Sequence, residues 1–291
     1  MDSPSLFSSH FESDSEYITG FDYWMQKKFE RKLDTGLPEL NGLLEGGYSR
    51  GIVTVVFGSR KPIIRLLLNA AINSLLATVD GGLNSDKVVY VDAENSFNPY
   101  YLSEKIRSLG YQPEELLKRV EVARCFNWNQ VVEVLSEKIP LQKPFTLIVS
   151  GYTSMFEFSE KAFADLQLMN GGIKSIMKYN PVVVLGTSMH FNSELVPMGG
   201  KVLTQFGGIL ISMVERDRFY ELTLQKHPSF PTKSVRFWKE SATSSVKSKY
   251  SKDKALKSKH HTLDSFLQTY SLIQAAEWTN KQSKKEKKEA N

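Results

Sequence analysis

Five short runs rich in β-branched residues recur along the chain: GIVTVVFG (51–58), KVVYVD (87–92), RVEVARCF (119–126), FTLIVSG (145–151) and PVVVLGTS (181–188). Most of them lack the polar alternation of a strand with one wet face, so they need cover on both sides. The intervening stretches 62–77, 98–110, 129–139 and 164–179 space their apolar residues as helices do, and Gly110 ends the second. Strands alternating with helices predict an α/β fold with a mostly parallel twisted sheet flanked by helices. After Gly199 and Gly200 the pattern changes. Segments 201–214, 218–226 and 232–238 read as successive strands joined by polar turns, extending the sheet as antiparallel C-terminal strands.

A chain of 291 residues, 41% of them hydrophobic, can bury a real core, expected over residues 35–240. Residues 1–34 read as a flexible segment in which FDYWMQKKFERKL, from Phe21, could form one short helix. Residues 241–291 read as a lysine-rich flexible tail with an apolar island, TLDSFLQTYSLIQAAEW, at 262–278. The formal charge of +5 is uneven: residues 244–291 hold eleven lysines against five acids, so the rest of the chain sums to −1. No uncharged apolar run reaches the roughly 18 residues of a membrane span, and the start has neither a basic nor an apolar leader, so an intracellular protein without membrane contact is expected. The lone cysteine, Cys125 in ARCFNW, excludes an internal disulfide or a cysteine-based metal cluster and reads as strand packing. No metal site is expected.

Between the first strand and the first helix the chain reads FGSRKPIIR (57–65). A loop that cradles nucleotide phosphates needs G-x-x-x-x-G-K-[ST]: glycines for close backbone approach, lysine for the outer phosphates, a hydroxyl for magnesium. Counting from Gly58 puts Ile63, Ile64 and Arg65 at the Gly, Lys and Ser/Thr positions. Lys61 takes the lysine position only in a loop three residues shorter. Isoleucine removes the cation that faces the phosphates, and Arg65 lacks the hydroxyl that ligates magnesium. Pro62 suits the first turn of the helix beyond it.

The order and wording of several segments resemble the RecA superfamily, specifically the RadA/RadB recombinases of archaea and their eukaryotic relatives. TGLPELNGLLEGGYSRGIVTVVFG is similar to the stretch leading into that family's first core strand. VVYVDAENSFNPYYLSEKIRSLGYQPEELLKRVEVARCFN looks like its strand carrying D-T-E-x-x-F-x-P, the next helix and the strand ending A-R-A-x-N. GGKVLTQFGGILISM and LQKHPSFPTKSVRF resemble its C-terminal strands. The match covers residues 35–238 and implies a RecA-like core. It also aligns Ile64 with the phosphate-loop lysine, Ser150 with a magnesium-supporting Asp, and Met189 with a Gln that senses the γ-phosphate. Glu94 matches the water-activating glutamate and survives as a remnant. Without loop, metal support or sensor it has nothing to act on, so the expectation is a degenerate ATPase that binds no cofactor.

Family recombinases usually carry a helical DNA-binding domain and an F-x-x-A anchor that docks into the next subunit. About 34 residues precede the core here and contain no F-x-x-A, so autonomous filament formation is not expected. By resemblance, DNA-contacting loops fall at 152–163 and 190–201, where Lys161, His190 and Lys201 are the cations. Tail lysines, among them Lys252, Lys254, Lys257 and Lys259, would supply most of a weak, salt-dependent attraction to DNA. HHTLDSFL (260–267) resembles the sliding-clamp-binding motif, with Leu263, Phe266 and Leu267 as the hydrophobic plug and His260 in place of Gln; the alternative is an amphipathic helix. The sequence thus reads as a non-catalytic recombinase paralog. It would assist homologous recombination and DNA repair by binding an active recombinase or another paralog, in the cytoplasm or nucleoid of an archaeal host or the nucleus of a eukaryotic one. Two alternatives stand beside it: a structural RecA-like subunit of an Elongator-like assembly, and an ATPase with an atypical phosphate loop.

Overall fold

A computed structural model describes residues 18–190 and 193–239. The chain divides into two compact units, Met1–Lys239 and Glu240–Asn291, and the described residues all belong to the first. Helix α1 (Gly20–Phe29) starts at Thr19, whose hydroxyl accepts the Asp22 N–H at 3.1 Å. Helix α2 (Pro38–Leu43) opens on proline and buries Leu40 and Leu43. Strand β1 (Val53–Gly58) is buried throughout and passes into α3 (Arg60–Leu75) through one residue, Ser59. Strand β2 (Val88–Asp92), α4 (Pro99–Ser108) capped by Asn98, the short α5 (Pro113–Leu117) and β3 (Val120–Arg124) come after it. Next are α6 (Trp128–Glu133) and α7 (Ile139–Gln142), joined by a π turn, then β4 (Thr146–Ser150) and α8 (Glu160–Ile176), capped by Ser159. Strand β5 (Val182–Thr187) leads to a small hairpin of β6 (Met189–His190) and β7 (Ser193–Pro197). Helix α9 (Gly200–Phe206) and strands β8 (Ile209–Glu215), β9 (Phe219–Lys226) and β10 (Lys233–Trp238) complete the unit.

The eight strands of the main sheet lie in the order β10-β9-β8-β1-β5-β4-β2-β3. All pairs from β8 to β3 are parallel, and β8–β9 and β9–β10 are antiparallel. Alternate residues of one strand feed opposite cores, as the two-residue period requires: Val56 and Val184 join Leu67, Ile72 and Leu102 on one face, while Val55 and Leu185 join Leu135, Leu166 and Met169 on the other. Cys125 packs into the second core, and burial pushes its thiol pKa up, with Asp92 and Glu133 adding to the effect. The parallel register brings Gly58, Asp92, Ser150 and Thr187 to one edge, the carboxyl ends of the strands, where open α/β sheets bind ligands.

The expectation of a strand over 201–214 is corrected in two ways. Residues 200–206 form α9, in which Leu203 is buried and Val202 and Phe206 pack beside it on the second core, so KVLTQF lays its apolar residues on one helical side instead of alternating two faces. Strand β8 then runs parallel to β1 and not antiparallel; the antiparallel extension begins only with β9. The single helix expected at 129–139 is also interrupted. Pro140 has no N–H to return to the Ser136 carbonyl, and the ladder widens into the π turn Val134–Lys138.

Gly58 sits at φ +130°, and a Cβ there would lie 2.1 Å from the Met213 carbonyl oxygen on β8. Gly58→Ala is therefore expected to destabilise the fold by about 2–4 kcal/mol, measured by urea unfolding of the full chain.

Candidate functional site

The edge where β1, β2, β4 and β5 end is held by a chain of polar contacts. Because α3 starts at Arg60, its first side chain turns across the edge. Arg60 Nε donates to Glu94 Oε2 at 2.7 Å and Nη2 to the Glu94 carbonyl at 2.8 Å. The other carboxylate oxygen, Oε1, accepts from Ser150 Oγ at 2.5 Å. With that proton committed, Ser150 accepts from Ser96 Oγ at 2.7 Å, which also lies 3.2 Å from Asp92 Oδ1. Asp92, 1% exposed, accepts the backbone N–H groups of Ser96 and Phe97 at 2.8 and 3.0 Å. Both carboxylates thus have their oxygens occupied by donors of the chain itself, as burial demands.

Glycine is needed at one point of this arrangement. Gly151 has φ +74°, and a Cβ there would lie 2.9 Å from Glu94 Cβ. Any larger residue would push Glu94 off Ser150. Burial raises the Tyr90 phenol to about 12, against hydrogen bonds from Ser96 and Ser150 that lower it; its Oη lies 3.4 Å from Ser96 Oγ.

Little space remains at the edge. A cavity of about 60 Å³ lies among Gly58, Arg60, Ile63, Glu94, Gly151 and Thr187, whereas small-molecule sites run to about 300–1,000 Å³. The helix expected from residue 62 starts two residues earlier, so no extended loop spans 60–65 and those residues form the first turns of α3. Ile63 is buried against the sheet, Ile64 is half-buried, and Lys61 and Arg65 are exposed on the helix surface. Ser59 Oγ, in place of a phosphate, accepts the Glu215 N–H at 2.9 Å. Met189 is half-buried in β6, packed on the second core.

The other candidate residues do not gather at this edge. Lys161 pairs with Asp165 at 3.1 Å, and the same carboxylate oxygen accepts Trp128 Nε1 at 2.8 Å. This pair borders a separate cavity of about 340 Å³ on the α8 side. The segment 152–163 is anchored to the core at Tyr152 and Phe156, with residues 157–161 exposed: Tyr152 donates to Asn170 Oδ1 at 2.7 Å, and Phe156 contacts Trp128, Phe158 and Phe163. His190 packs edge-on to Phe158, and Lys201 is exposed in the first turn of α9. Lys252, Lys254, Lys257, Lys259, Leu263, Phe266 and Leu267 lie outside the described residues. Among the described residues no His, Cys, Asp and Glu cluster that could hold a metal is present, and no helix is long and apolar enough to cross a membrane.

Sequence reasoning missed Arg60, Asp92 and Ser96 as members of the site. The signal available was a paired change: a carboxylate lost at 150 beside one retained at 94.

The parallel sheet with its antiparallel C-terminal strands carries this site at the carboxyl ends of β1, β2 and β4, and it is the comparisons that mark the Rad51/RecA-family domain. Residues 26–168 match the Rad51 family model, and the domain is homologous to RadB. The chain is 26% identical over 207 residues to the DNA repair and recombination protein RadB of Thermococcus sibiricus (strain DSM 12597 / MM 739), covering 64% of this chain and 87% of that protein. The crystal structure of the RadB recombinase superposes with a TM-score of 0.60 at 22% identity, over 71% of this chain and 95% of the other. That superposition agrees with the mostly parallel sheet and its antiparallel C-terminal strands.

Ser150→Asp would set a second carboxylate against Glu94 in a buried place, where like charges cannot both ionise cheaply. It is expected to cost about 2–4 kcal/mol in urea unfolding, and adding Glu94→Gln should recover at least about half. A pH series probes Tyr90. The folded protein holds the phenol proton to about pH 12 and the unfolded chain only to 10, so the Tyr90 contribution to stability is level below 10 and is lost between 10 and 12. The fall should be smaller in Tyr90→Phe.

Proposed function

We propose that the protein is a non-catalytic recombinase paralog, a pseudo-ATPase that assists homologous recombination and DNA repair by binding an active RecA-family recombinase or another paralog. The observation that carries this reading is the pairing of Glu94 with both Arg60 and Ser150. A water-activating glutamate must hold an oxygen toward water and the γ-phosphate. Both Glu94 oxygens are engaged by the chain, and the cation that neutralises them is Arg60 instead of a bound ion. The turn at Ser59 is a single residue leading straight into α3, and about 60 Å³ is too little for a nucleotide. The recombination assignment draws on the relatives, one named as a DNA repair and recombination protein and the other as a recombinase.

In this reading DNA contact is weak and comes mainly from the lysine-rich tail. Leu263, Phe266 and Leu267 are proposed to dock on a sliding clamp. The core's role is then to present a rigid surface to a recombinase, with the nucleotide's stabilising part taken over by side chains.

The test is titration of the full chain with a fluorescent ATP analogue and Mg²⁺, beside a working RecA-family ATPase. No saturable binding up to millimolar nucleotide is expected. Saturable micromolar binding would overturn the pseudo-ATPase reading in favour of an atypical phosphate site.

A further inference from the structure

The cleft of about 340 Å³ lies between the start of α6, the segment after β4 and the first turns of α8. Asp165 lines it and is buried, 8% exposed. Both bonds to its carboxylate, from Trp128 Nε1 at 2.8 Å and Lys161 Nζ at 3.1 Å, end on Oδ2, so Oδ1 is left for the cleft. Phe156 meets the Trp128 ring edge-on at 5.7 Å, which holds the indole as a fixed wall. Met155 and the exposed Glu157 line the cleft beside them.

We propose that this cleft binds an organic cation, the guanidinium or ammonium head of a short alkyl chain, and that Lys161 is the internal group it displaces. Asp165 and Glu157 take the head group, and Met155 and the indole pack on the methylenes. The cleft already holds such a group, because the Lys161 ammonium sits on Asp165 from a side chain that is 72% exposed. An i,i+4 pair this open to water is weak, so an incoming cation exchanges for it readily. Once Lys161 swings out, two lining carboxylates remain, and among the described residues no other cation lines the cleft. The stretch 157–165 sets Glu157, Glu160 and Asp165 against Lys161 alone. Arg124, at the end of β3, is paired with Asp92 at 3.9 Å.

Other ligand classes fit less well. An anion would meet the acids of 157–165, and a divalent metal lacks ligands, since among the described residues no cluster of three His, Cys, Asp or Glu is present. An indole and a thioether beside two carboxylates suit a cation that carries apolar surface. The volume lies within the range of small-molecule sites. The inference goes beyond the recombination reading and needs neither a recombinase nor the carboxyl-edge site.

The experiment is titration of the full chain, labelled with ¹⁵N-tryptophan, with agmatine at constant ionic strength. The readout is the Trp128 indole N–H resonance, assigned with Trp128→Phe. A saturable shift of that resonance is expected at millimolar agmatine or below. Asp165→Asn should weaken binding at least about tenfold. Glu157→Gln should weaken it about twofold, and Lys161→Gln, which removes the internal competitor, should tighten it about twofold. If Asp165→Asn does not fold, the opposite signs of these two exposed-site variants decide. Acetyl-arginine-amide binding as tightly as agmatine assigns the head group to a polypeptide arginine, and binding of agmatine alone assigns it to a free amine; either supports the site. No shift of the Trp128 resonance, an equal shift with uncharged butylurea or with Mg²⁺, or weaker binding in Lys161→Gln would overturn the proposal. The nucleotide titration reads a different cavity and ligand, so either idea can fail alone.

Discussion

Strand β1 has no free side. It is hydrogen-bonded to β5 and β8 along its two edges and packed between cores on its two faces, so its end is fixed in space before any loop chemistry begins. The Met213 carbonyl presses on Gly58, and Ser59 is tied at both its N–H and its hydroxyl to β8. With no slack, the chain enters α3 at once, and Arg60 is delivered to the mouth of the strands as the first residue of the helix. The direction of that one side chain organises the candidate site.

Charge at this edge is balanced within the protein. Asp92 and Glu94 bring two carboxylates to a nearly dry place. Asp92 is satisfied by backbone N–H groups, and Glu94 by a guanidinium and a hydroxyl. A serine at 150 is what makes the second arrangement possible, since an acceptor-only carboxylate there could give Glu94 no proton. Serine, arginine and the glycine at 151 form a set: each is intelligible only in the presence of the others.

Much of the architecture was legible in the sequence, because the four buried strands β1, β2, β4 and β5 carry dense β-branched runs and the helices between them have stops and caps of ordinary kinds. The α9 segment was misread because its apolar residues fit a strand or a short helix, and the packing of Val202, Leu203 and Phe206 on one core decides. Glu94, Ser150 and Met189 could be found as positions. Arg60 could not, because its part depends on whether the helix begins at 60 or two residues later, a difference finer than periodicity resolves. The cleft beside Trp128 was hidden for a related reason: Trp128 and Asp165 are 37 positions apart and become neighbours only through the packing of α6 on α8.

The single-residue turn at Ser59 also bears on how such a protein can change over time. A side chain can be exchanged by one substitution, but a cradle of backbone N–H groups is a matter of backbone path, and here the chain is helical from the residue after Ser59. Gaining one would require unwinding the first turn of α3, a new start for that helix, and release of Glu94 from a partner that stabilises it. Each step alone would lower stability with no compensating gain. The short turn therefore resists return: exchanging side chains one at a time leaves the backbone path as it is.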